Sequence, residues 1–176
     1  MMRKLGLFWL APLFFAAMAS STIHPSAPPE TKQFSSMLGI WQIQDFQKQH
    51  DGSWQQGLGA TWEWHTILDG YAIQDNWIAP VASQEGKVIR YRHGTNIRVY
   101  NPKKQQWEMA WISSTGLQVD TFTAKKVDNA IVMRGIFSGS DSKITFFDME
   151  ATSFKWKLEL LAGGQWQEVY RIKGTK

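Results

Sequence analysis

Phe154, Trp156, Leu158 and Leu160 alternate without a break with Lys155, Lys157 and Glu159. A strict period of two over seven residues fits a half-buried β-strand and no amphipathic helix. The same period recurs from Leu38 to the end of the chain. Trp41 and Ile43 alternate with Gln42 and Gln44. Ala60, Trp62 and Trp64 oppose Thr61, Glu63 and His65, and Tyr71, Ile73, Asp75 and Trp77 oppose Ala72, Gln74 and Asn76. Trp107, Met109 and Trp111 share a face, as do Ile131, Met133 and Phe137, and the last segment carries Trp166, Glu168, Tyr170 and Ile172.

Turn signals separate these runs. Asp69-Gly70 is the strongest, since both residues tolerate a positive φ in a tight hairpin. Asn101-Pro102, Asp128-Asn129 and Gly163-Gly164 follow at spacings that suit an all-β barrel or sandwich. The stretch from Ile78 to Gly94 reads as the longest irregular connection, with a short strand at Val88 to Tyr91 inside it. About ten strands in hairpin sequence, with no helix or crossover between them, are too many for a flat sheet and predict closure into an up-and-down antiparallel barrel. Gly39-Ile40-Trp41 opens the first strand: the Gly permits close backbone approach, and the Trp is large enough to plug one end of the barrel.

The start of the chain is different in kind. Arg3 and Lys4, an apolar run from Leu5 to Phe15, and Ala17-Met18-Ala19 predict a secretory signal over 1–19, cleaved before Ser20. The apolar run is shorter than the ~20 residues a spanning helix needs, so the mature form is expected to have no membrane span and to be periplasmic or secreted. The chain has no Cys, which excludes disulfides, thiolate metal sites and a lipid-modified cysteine after the cleavage point. Residues 20–36, with Pro25, Pro28 and Pro29, read as a flexible linker. The barrel domain is expected over 37–176.

Arg3 and Lys4 account for 2 of the 19 basic residues, leaving 17 against 15 acidic ones in the mature chain. Lys103-Lys104 and Lys125-Lys126 read as solvated turn charges, so no nucleic-acid partner is expected. His65 and His93 show no metal-ligand spacing, haem has little support, and no cofactor is expected.

Two carboxylates fall on otherwise apolar faces, Asp75 between Ile73 and Trp77, and Glu168 between Trp166 and Tyr170. A carboxylate buried without a partner costs several kcal/mol, so each must be paired, hydrogen-bonded or protonated. Either is a polar recognition point, a general acid or base, or a structural hydrogen-bond acceptor. The counter-charge first in line for Asp75 is Arg98, which shares a parity with Tyr100. Burying Ile97 and Val99 would turn Arg98 outward. The ten Trp are first of all core. If their faces turn inward, Trp62, Trp64, Tyr71, Trp77, Trp111 and Trp156 supply aromatic walls around Asp75, suited to flat or apolar ligands.

Gly39-x-Trp41 at the first strand, with Arg171 near the end of the last, resembles the calycin signature, in which a final-strand Arg lies across that Trp. Several further stretches resemble a group of lipocalin-like bacterial domains of unknown function. They are Leu68-Asp69-Gly70-Tyr71, Asp75-x-Trp77, Ile97-Arg98-Val99-Tyr100-Asn101-Pro102 before Trp107, and Phe154-x-Trp156 before Gly163-Gly164-x-Trp166. The resemblance spans residues 34–173. It implies a calycin-type barrel with a cavity and an inward Arg98, and it implies no reaction. The leading expectation is a binding module for one small apolar or amphipathic molecule, with Trp62, Trp64, Tyr71, Asp75, Trp77, Arg98, Tyr100, Trp111, Trp156 and Glu168 around it. The alternatives are an enzyme of isomerase, hydratase or hydrolase type using Asp75, Glu168 or Tyr71 as acid or base, and a structural domain with a filled core.

Overall fold

The structure, a computed structural model, describes residues 22–176; the expected signal over 1–19 lies outside the described residues. A 3₁₀ helix, Pro29–Met37, is followed by the strands β1 (Gly39–Lys48), β2 (Trp54–Gln56), β3 (Ala60–Ile67), β4 (Ala72–Ala82), β5 (Val88–Asn101) and β6 (Gln106–Ser113). Then come β7 (Val119–Val127), β8 (Ala130–Phe137), β9 (Ser140–Phe147), β10 (Ser153–Ala162) and β11 (Gln165–Thr175). Neighbouring strands pair antiparallel in chain order from β3 to β11, and β1 pairs with both β3 and β11. Ten strands thus close an up-and-down barrel, with β2 a short addition beside β3 on the same edge of β1. Among the described residues no helix is long and apolar enough to cross a membrane.

Alternation decides which side chains fill the barrel. On β3, Ala60, Trp62, Trp64 and Thr66 are buried between more exposed neighbours. On β9, Ser142, Ile144 and Phe146 do the same. Every sheet edge inside the barrel is paired by closure, which removes the unpaired donors and acceptors an open sheet would present.

One end of the barrel is sealed by a segment expected to be a flexible linker. Residues 29–37 form the 3₁₀ helix, started by Pro29, whose fixed φ suits a first helical position. Phe34 and Met37 on it are fully buried. The Phe34 ring lies 5.6 Å from Trp64, 5.0 Å from Trp107 and 5.6 Å from Phe146, measured between centroids. Trp41 Nε1 donates to the Met37 carbonyl at 2.6 Å, and Trp107 Nε1 to Gln33 Oε1 at 3.0 Å. A single aromatic residue in a polar, Pro-rich stretch supplies the plug, and this overrode the composition signal.

The closing cation also differs from the resemblance. Trp41 is covered by Lys176, whose Nζ lies 4.2 Å from the ring centroid and donates to the Leu38 carbonyl at 2.6 Å. Arg171 instead pairs with Phe46 and stacks 3.5 Å over Trp54 of β2. Parity explains the exchange: Tyr170 and Ile172 face inward, so Arg171 between them faces out.

The expected Asp69-Gly70 hairpin forms, through a four-residue β3–β4 loop, 68–71, in which Leu68, Asp69 and Gly70 all have positive φ. Two other local expectations are corrected. The stretch 78–94 is a long β4–β5 hairpin that pairs from Ile78↔His93 to Ala82↔Val88. Lys125 and Lys126 lie within β7, one step before the turn.

Phe34→Ala is expected to destabilise the protein by about 3–5 kcal/mol, the range for a buried aromatic truncated in a core. Urea unfolding checks it; an unchanged midpoint would mean that the segment before β1 does not seal the barrel.

Candidate functional site

The interior falls into two halves along the barrel axis. The half beneath the 3₁₀ helix is centred on Asp75 of β4 and Arg98 of β5, exposed by 0% and 1%. The Arg98 guanidinium donates to Asp75 Oδ2, and Trp62 Nε1 donates to Asp75 Oδ1 at 2.6 Å. Arg98 also lies 4.1 Å over the Trp64 ring and 5.4 Å from Phe34. The planar guanidinium can do all of this at once, because it offers a hydrogen-bonding edge and a stacking face. Burial pushes the Arg98 pKa well down from its ordinary value. That value is so high that the guanidinium keeps its proton beside the carboxylate.

Burying Ile97 and Val99 would send Arg98 outward; it points in instead, on the face of Gly94 and Asn96, and Ile97 and Val99 are exposed on the other. The inward Asp75 is the reason. Two buried charges offset one another, whereas Asp75 alone would carry the whole desolvation cost. Tyr100, two residues on, packs 5.6 Å from Trp107. Burial, and then the Glu30 carboxylate that accepts its hydrogen bond, raise the Tyr100 pKa.

The other half is less deeply buried. Trp77, Trp111, Phe137, Trp156, Leu160 and Tyr170 pack against the core yet remain partly exposed. Trp77 meets Trp62 edge-on at 5.2 Å, and Trp156 meets Tyr170 edge-on at 6.0 Å, so these rings pack on the inward side of the sheet. Gly94 makes room for Trp111: a Cβ at that position would run into the indole. At the rim, Tyr170 Oη donates to Asp45 Oδ2 at 2.5 Å, and Gly59 N–H donates to Asp45 Oδ1 at 2.8 Å. Burial, then the hydrogen bond and charge of Asp45, raise the Tyr170 pKa far above the ordinary phenol value. Tyr170 therefore serves as a donor and not as a base.

Asn96, 4% exposed, is paired across from Asp75 on one side and Trp111 on the other. Its Oδ1 has no hydrogen-bond partner, and neither have Trp64 Nε1 and Arg98 Nε nearby. A buried amide oxygen without a partner is uncommon and calls for an explanation.

Of the residues expected around a ligand, Trp62, Trp64, Asp75, Arg98 and Tyr100 gather in the sealed half, and Trp77, Trp111 and Trp156 lie in the other. Two belong to neither. Tyr71 lies in the 68–71 loop, before β4 begins, and stacks on His24 at 4.7 Å. Glu168 faces outward and accepts from Arg171 Nε at 2.8 Å. A bulge accounts for it: Leu158 pairs with Tyr170 but Glu159 with Glu168, so Val169 is an extra residue that reverses the parity before it. Asn96, Asp45 and Phe34 went unnoticed in the sequence. Asp45 alternates with Trp41 and Ile43, so the period could have found it; nothing flagged Asn96.

No family model matches the chain, and no curated protein matches it. Among solved structures it is similar to that of Rv2717c from M. tuberculosis, with a TM-score of 0.53 and 14% identity, covering 85% of this chain and 98% of that one. At that identity the likeness is one of barrel fold.

Asp75→Asn is expected to cost about 3–5 kcal/mol, because it strands Arg98 as a buried cation. Adding Arg98→Met should cost less than the sum of the two single changes, and a double-mutant cycle by urea unfolding reads the coupling; additive effects would contradict the pairing. Tyr170 gives a pH prediction. Its raised folded pKa means that its contribution is complete below the unfolded phenol value near 10 and is lost as pH rises beyond it. The unfolding midpoint should fall above about pH 10 in wild type, and less steeply in Tyr170→Phe.

Proposed function

We propose that this is an exported, lipocalin-like barrel that binds one small apolar or amphipathic molecule through its open half. The observation that carries the reading is Asn96. Its amide oxygen is buried and unpartnered on β5, directly across from Trp111, one of three inward rings, with Trp77 and Trp156, that stay partly exposed. A pocket with apolar aromatic walls and one fixed polar group suits a flat or elongated molecule with a single hydrogen-bond donor at its leading end. Asp75 and Arg98 do not touch such a ligand. Both are sealed beneath Phe34 and already pair with each other.

The enzyme alternative has less support. Asp75 is out of reach, and Glu168 and Tyr71 lie outside the barrel. The remaining pair, Asp45 and Tyr170, is occupied with itself. Against a filled core, the reading is supported by the inward Trp77, Trp111 and Trp156, which stay partly exposed. Export rests on the sequence of residues 1–19, and N-terminal sequencing of the periplasmic or secreted protein tests it: a chain beginning at Ser20 is expected, and one beginning at Met1 contradicts it.

Binding is tested by calorimetric titration of 1-anilinonaphthalene-8-sulfonate and a panel of flat aromatic and long-chain alcohols and amines. At least one should bind wild type. Trp111→Ala should weaken it about tenfold or more, equivalent to ~1.4 kcal/mol, with Lys103→Gln as an unaffected control. No binding by any probe, or equal binding by Trp111→Ala, would overturn the reading.

A further inference from the structure

The outer wall of the barrel holds a second concavity, unrelated to the interior. Strands β7 to β10 form a saddle with a cavity of about 520 Å³ on its outside. Four cations line it, Lys125, Arg134, Lys143 and Lys157, against a single carboxylate, Glu159, with Val132 also in the lining. Each comes from the outward register of its strand: Arg134 lies opposite Lys143, and Lys143 opposite Glu159.

The lone carboxylate is already neutralised. Glu159 is nearly buried and accepts ion pairs from Lys143 Nζ at 2.9 Å and Lys157 Nζ at 3.2 Å. It therefore holds two lysines in place without cancelling the field of Lys125 and Arg134. A neighbouring ring fixes two of the cations from the other side. The Trp166 indole lies 5.3 Å from the Arg134 guanidinium and 5.1 Å from Lys143 Nζ. Like charges gathered into a concave surface repel one another, and a concave wall concentrates their field. Long side chains would spread apart in water if nothing were gained by convergence, and here a buried Glu and a Trp hold them together.

We propose that this outer cavity is a binding site for a phosphate monoester, either free in solution or as a lipid headgroup. A dianionic phosphate matches the excess of cations better than a carboxylate does, and it offers enough acceptor oxygens for Arg134 and Lys125 together. The volume lies in the range of small-molecule sites. Val132 gives the carbon skeleton of an ester an apolar seat that inorganic phosphate would leave unused. The site is independent of the open half of the barrel, which lies on the other side of the sheet.

Calorimetry on the full mature chain with glycerol 3-phosphate and with inorganic phosphate tests it. In parallel, cosedimentation uses vesicles of phosphatidylcholine with and without phosphatidic acid. The expected result is binding of glycerol 3-phosphate, tighter than inorganic phosphate and weakened by added salt, or binding of only the vesicles that carry phosphatidic acid. The first identifies a soluble ester and the second a headgroup. Arg134→Gln with Lys125→Gln should reduce either binding at least tenfold. Both side chains are exposed, so an unchanged thermal midpoint should accompany the loss. Trp111→Ala should leave it intact, which separates this site from the interior one. Failure of both probes and both vesicle types, or undiminished binding by the double variant, would overturn the proposal.

Discussion

The ion pair between Asp75 and Arg98 organises the interior. Two charges inside a barrel of Trp and Phe survive only if they meet each other and if the remaining faces of the guanidinium are covered. Trp62 takes the second carboxylate oxygen, Trp64 takes one face of the guanidinium, and Phe34 closes over them. This is why the 3₁₀ helix must dock: without Phe34 and Met37, water would reach the pair from the end of the barrel. It is also why β5 turns Arg98 inward at the expense of leaving Ile97 and Val99 half in water.

The same arrangement makes the barrel asymmetric. Tight packing of Phe34, Trp41, Trp64, Trp107, Phe146 and Phe154 leaves no room below Asn96. Above it, Trp77, Trp111 and Trp156 face inward and stay partly exposed. The fully buried side chains are concentrated in one half, and the proposed binding site lies in the other. Such a division is common where a rigid frame carries a site that needs access. The outer saddle over β7 to β10 belongs to neither half, since alternation alone separates its charges from the core behind it.

The barrel was legible because its signal is local: period two, short turns and sequential hairpins each act within ten residues. The inward wall was legible for the same reason, since Trp62, Trp64, Trp77, Trp111 and Trp156 keep their parity along unbroken strands. Where parity breaks, the reading broke with it. One extra residue, Val169, moved Glu168 outside, and the four-residue loop before β4 removed Tyr71. Arg98 keeps the alternation of its strand but takes the inward face from Ile97 and Val99, because a partner on the next strand outweighed two aliphatic neighbours, a long-range term no single strand contains. The outer cations were invisible as a cluster because each comes from a different strand, 9 to 14 residues apart in sequence, and they meet only through cross-strand register. Phe34 was concealed by its polar neighbours. One buried ring outweighed the composition around it.

The central claim is that the barrel is sealed at the 3₁₀-helix end and open at the other. Hydroxyl-radical footprinting of the tryptophans, read residue by residue by mass spectrometry, tests it most directly. Trp41, Trp64 and Trp107, exposed by 0%, 1% and 0%, should be protected. Trp77, Trp111 and Trp156 should be modified, along with Trp54 and Trp166 on the outside. Modification of Trp64 and Trp107 at rates matching Trp111, or protection of all three open-half tryptophans, would contradict the account.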